Sequence, residues 1–95
     1  MLNKNKGVWE PKRPNEVDYR AINWAADLDE GETISSFTYT VNPASQMVIT
    51  RNVSDGKRIV STLTGGKSGM EAIVTNQIKT SKGRTLETEV SQRIL

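Results

Sequence analysis

The chain has 95 residues, a formal net charge of +2, and neither cysteine nor histidine. Size scaling gives ~5,400 Å² of folded surface against ~15,000 Å² unfolded, so roughly 64% is buried, enough for one thin core and too little for a two-lobed enzyme. The missing residue types exclude a disulfide framework, a thiolate zinc site, a cysteine nucleophile and a Ser-His-Asp triad.

Composition sets the class. With 8 Val, 7 Ile and 10 Thr against 5 Leu and 5 Ala, the chain is rich in side chains that are stiff at χ1 and suit a pleated surface. An all-β fold is expected. No apolar run approaches the ~20 residues that span a bilayer, and Met1 to Lys6 lack the apolar core of a secretory signal. No membrane association is expected, and the chain reads as made in the cytoplasm. Charge is uneven, at +3 over residues 1–15, −5 over 16–32 and +4 over 51–95. Such a layout either steers self-association and partner docking or is ordinary solvated scatter.

Residues 1–16 read as an extended basic arm, with Pro11 and Pro14 holding their predecessors extended. Val8 and Trp9 are its apolar exceptions and need a docking place. Residues 17–95 read as the folded domain. A strand is expected over 17–24 with Ile22 and Trp24 on one face, then a connection over 25–31 holding one helical turn. The clearest strand spans 32–41, where Phe37, Tyr39 and Val41 alternate with Ser36, Thr38 and Thr40. Residues 46–53 follow with Met47, Ile49 and Val53 in phase. Asp55-Gly56 is a hairpin signal, leading into 58–64 with Ile59, Ser61 and Leu63 on one side. After the glycine break at 65–69 come 70–80, with Met70, Ala72, Val74, Asn76 and Ile78 in phase, and 84–95, with Leu86, Thr88, Val90 and Ile94. Six strands, or seven if part of the arm pairs, describe a small immunoglobulin-like antiparallel β-sandwich. A partly open barrel is the second choice.

The chemical motifs are weak. Gly65-Gly66-Lys67-Ser68 lacks the upstream glycine of a phosphate loop, where Ser61 stands, and the helix that must follow. Asn52-Val53-Ser54 fits a glycosylation acceptor and reads as coincidence. Asp27, Asp29, Glu30 and Glu32 lack the ligand alternation of a calcium loop and read as an exposed acidic tip. Lys79, Lys82 and Arg84 form the best nucleic-acid patch, but the stripe of bases with interleaved aromatics is missing. Nucleic-acid binding is therefore not expected, nor are catalysis, a metal or a cofactor. Arg84 is expected to pair with Glu87 or Glu89, and Asn76 to bond backbone in a turn.

Several segments in order resemble a known family. Pro14, Asp18-Tyr19, Asn23-Trp24, Gly31-Glu32-Thr33-Ile34 and Tyr39-Thr40-Val41 are followed by Gly65-Gly66, Gly69, Val74-Thr75-Asn76, Ile78 and Gly83-Arg84-Thr85. Together they resemble small tailed-phage virion proteins of the fibre–tail adaptor type. Two departures stand out: the arm before Pro14 is longer and more basic than in the family, and Ala72 stands where an aromatic is usual. The resemblance implies a non-enzymatic virion protein at the tail or neck that attaches fibres. It would act as a homo-oligomeric ring or array against tail, neck, portal or fibre proteins. Val8, Trp9, Pro11, Lys12 and Arg13 are the expected protein–protein contacts, with Trp9 either anchoring a neighbour or folding back on its own domain. A capsid decoration protein, and a carbohydrate-binding module using Trp9 and Tyr19, are the alternatives.

Overall fold

The computed structural model describes residues 5–95, with side chains from Gly7 onward. The first four residues of the expected arm lie outside the described residues. Seven strands form: β1 (Asn5–Lys12), β2 (Asp18–Asn23), β3 (Ile34–Val41), β4 (Met47–Ser54), β5 (Arg58–Gly65), β6 (Glu71–Thr80) and β7 (Thr85–Ile94). They make a four-stranded sheet ordered β1-β7-β6-β3 and a three-stranded sheet ordered β2-β5-β4. The arm therefore pairs, and it pairs parallel to β7, so one sheet is mixed rather than purely antiparallel. The expected helical turn is a 3-10 turn at Ala25–Asp27.

Alternation along each strand decides which side chains meet. Ile22, Trp24 and Ile59 of one sheet pack against Ile78, Leu86 and Val90 of the other. Met47 and Leu63 pack against Ala72, Val74 and Ile94. Between these two apolar clusters runs a polar layer, because each central strand places a polar residue at the inward position between them: Ser61, Asn76 and Gln92, all buried, with Thr88 buried inside the first cluster. Asn76 ties this layer to Trp24 and to β3. Its Oδ1 accepts from Trp24 Nε1 at 2.8 Å, and its Nδ2 donates to Thr38 O at 3.0 Å. Asn76 thus bonds a neighbouring strand and an indole, not a turn. A buried amide left unpaired is costly, which explains why both ends of this one are used.

One expected phase fails. Met47 and Ile49 face inward, but Val53 is 66% exposed. The β4–β5 ladder slips between Thr50 and Val53, where Arg51 takes a φ of 51°. A bulge inserts one residue and sends everything beyond it to the other face. The hairpin that follows is built as the sequence implies. Asp55 Oδ1 accepts from the backbone N–H groups of Lys57 and Arg58 at 3.0 and 2.8 Å, which hold its carboxyl below the usual range.

Candidate functional site

The strap formed by β1 is built from an unusual pairing. Pro11 has no N–H, and the β1–β7 ladder breaks between Trp9 and Lys12, which an edge strand tolerates. Side chains replace the missing ladder bonds. Glu10 O accepts from Gln92 Nε2 at 2.6 Å and from the Arg20 guanidinium at 2.9 Å. Arg20 also donates to Gln92 Oε1 at 3.1 Å and pairs with Asp18 at 2.8 Å, which pulls the Asp18 carboxyl down. Arg20 and Gln92 thus stitch β1, β2 and β7 together. Gln92 has a sequence signal, since it occupies the apolar phase of β7 between Val90 and Ile94.

The five expected contact residues divide. Trp9 packs against both apolar clusters, and its Nε1 donates to Ala21 O at 3.2 Å. Trp9 thus rests half-buried on its own domain. Lys12 is buried, and its Nζ donates to Gly65 O at 2.7 Å and Arg13 O at 2.8 Å. Burial pushes its pKa down, opposed by nearby Glu16. Val8, Pro11 and Arg13 are exposed. The segment from Val8 to Arg13 therefore holds itself with Trp9 and Lys12 and displays the other three to solvent.

The opposite end of the sandwich carries the acidic segment. Glu32 does not sit at an exposed tip: its side chain is fully buried, and both its oxygens pair with the Arg84 guanidinium, Arg84 Nε to Oε2 at 2.9 Å. Thr80 Oγ1 donates to Oε2 at 2.6 Å and Asp29 N to Oε1 at 2.8 Å. The guanidinium first, helped by Thr80 and the Asp29 N–H, holds the Glu32 pKa down to about 2 against the cost of burial. Arg84 therefore pairs with Glu32, not with Glu87 or Glu89. The bidentate geometry needs an acceptor facing the core side of β7's entry, whereas Glu87 and Glu89 lie on its outer face. Lys82 Nζ donates to Glu30 O at 3.2 Å, so two cations of the expected Lys79, Lys82, Arg84 patch fasten the acidic loop. No group of acids that could hold a metal occurs among the described residues. Trp9 and Tyr19, the two aromatics considered for sugar stacking, lie on different sheets, with only Tyr19 strongly exposed at 70%.

Among the described residues, no helix is long and apolar enough to cross a membrane. A family model described as podophage GP4 fiber-tail adaptor protein gp77 matches residues 12–93. No curated relative matches the chain. The matched region begins at the last residue of β1 and takes in both ends of the sandwich, including the Glu32–Arg84 pair.

Proposed function

Because the chain belongs to the podophage fibre–tail adaptor family, matched over residues 12–93, we propose that it is a multimeric adaptor that attaches tail fibres to the phage tail. It works by binding, without catalysis. The family match is the observation that carries this reading and makes the chain a component of the virion. The structure lends two supports. Arg20 and Gln92 both bond Glu10 O, which pins β1 between Val8 and Pro11, so Val8, Pro11 and Arg13 are displayed on a tethered segment and bind with less ordering cost. The grouping of β2, β5 and β4 opposite β3, β6 and β7 supports an immunoglobulin-like connectivity, an architecture that presents edges and faces rather than clefts.

Copy number and position in the intact particle, from quantitative mass spectrometry and particle imaging, test the reading. A low, symmetry-fixed number at the tail is expected, and hundreds of copies on the shell would overturn it in favour of decoration. A paired Val8→Asp and Arg13→Glu variant tests the contact residues. Both side chains are exposed, so each costs less than about 0.5 kcal/mol of stability. Incorporation into particles should nevertheless fall tenfold or more.

A further inference from the structure

We propose that the outer face of the β2-β5-β4 sheet binds a second copy of this chain, with Arg51 and Arg58 of one copy set against Glu87 and Glu89 of the next. A solvated sheet face normally carries the polar half of the alternation. Here the register aligns Ala21, Val60 and Val53 in one cross-strand row and Tyr19, Thr62 and Thr50 in the next, with no charge in either row. Tyr19, Val48 and Val53 are 70%, 52% and 66% exposed. A contiguous uncharged face of this kind marks an interaction surface.

Charge selects the occupant. Arg58 lies on the outward phase of β5 just before Val60, and Arg51 lies at the bulge just before Val53. Both are exposed, and neither guanidinium makes a hydrogen bond or ion pair among the described residues, although Asp55 lies near enough to Arg58 to feel its charge. Arg51 also holds a left-handed backbone at φ 51°, a conformation that costs energy in a residue with a side chain and collects at functional positions. The face therefore calls for carboxylates. This chain supplies them on the other side of the sandwich, where Glu87 and Glu89 are exposed two residues apart on β7. Across β6 they face Gln77 and Thr75, with Gln77 Nε2 donating to Glu87 at 3.4 Å, and neither carboxylate has an ion pair among the described residues, so docked arginines would supply one. The two faces are on opposite sides of one molecule, so the contact is heterologous. Each copy keeps a free face after binding, and the series closes into a ring or continues as a row.

This deepens the adaptor reading by naming the contact within its multimer. Sedimentation of the purified chain from micromolar to millimolar concentration is the test. Wild type should associate beyond a dimer, more weakly as salt rises. An Arg51→Glu, Arg58→Glu variant and a Glu87→Lys, Glu89→Lys variant should each associate at least tenfold more weakly, with unfolding temperatures close to wild type. An equimolar mixture of the two, and a single chain carrying all four changes, should recover association. A wild type that stays monomeric, an association that either variant leaves intact, or a mixture that fails to recover would each overturn the proposal. Failure of the adaptor reading shows separately, as absence of the chain from the tail.

Discussion

At opposite ends of β7 the protein buries one charge each, and it settles them differently. Near Ile94 the Lys12 ammonium is held by two backbone carbonyls, with no carboxylate bonded to it. Near Thr85 the Glu32 carboxylate is held by a guanidinium, a hydroxyl and a backbone N–H. The Glu32 end is an ion pair that stabilises the charged form, and its pKa moves with that charge. The Lys12 end is a desolvated cation whose pKa moves against its charge. A buried charge is thus a clamp only where the partner is also charged; otherwise it is a tolerated cost that fixes geometry.

The largest expected effect comes from breaking the clamp. Arg84→Ala leaves Glu32 buried and uncompensated, and should lower the unfolding temperature by on the order of 10 °C, read by thermal denaturation at pH 7. The pH dependence sharpens the point. The folded pKa of Glu32 lies near 2 and its ordinary value is 4.5, so its contribution is complete above pH 4.5 and is lost as pH falls toward 2. In the wild type, stability should drop across that window. In Arg84→Ala the drop should shrink, because the main cause of the lowered pKa is gone.

At the Lys12 end packing outweighs charge. Gly66 has a φ of 115°, and a Cβ there would lie 2.6 Å from Ile94 Cδ1. Gly66→Ala should cost about 1–3 kcal/mol in urea titration and leave the acid-side pH profile unchanged. The smallest effect is expected from Lys12→Met. It removes the desolvated cation but leaves two carbonyls without their donor, for a net loss of about 1 kcal/mol at pH 7. The unfolded chain keeps the Lys12 proton up to the ordinary 10.5, whereas the folded chain gives it up at lower pH. Wild-type stability from this group should therefore rise with pH between those values, and the rise should be missing in Lys12→Met. Equal acid-side losses in Arg84→Ala and Lys12→Met would erase the distinction between the two ends.

Six of the seven strand positions were legible to within a residue or two, since each rests on local alternation and on turns such as Asp55-Gly56; β1 was legible only as an extended arm. The 46–53 segment shows where that local reading stops. Met47 and Ile49 follow the pattern, but a bulge at Arg51 reverses Val53, and no glycine marks the spot. At the candidate contact site, the apolar character of Val8 was readable, but its exposure in the folded chain was not. Nor was the burial of Lys12, because a lysine in a basic, proline-bearing segment has the composition of a solvated arm.

By itself, the sequence determined the β class, the inward phase of the central strands and the places where the chain turns. These follow from side-chain period and backbone freedom over a few residues. Only the tertiary structure decided that β1 runs parallel along β7, that Arg84 reaches Glu32 instead of its near neighbours, and that Asn76 joins Trp24 to β3. Those choices depend on which strands stack and in what register. The pairs that carry them lie 38 residues apart or more, so alternation along one strand cannot select among partners on another.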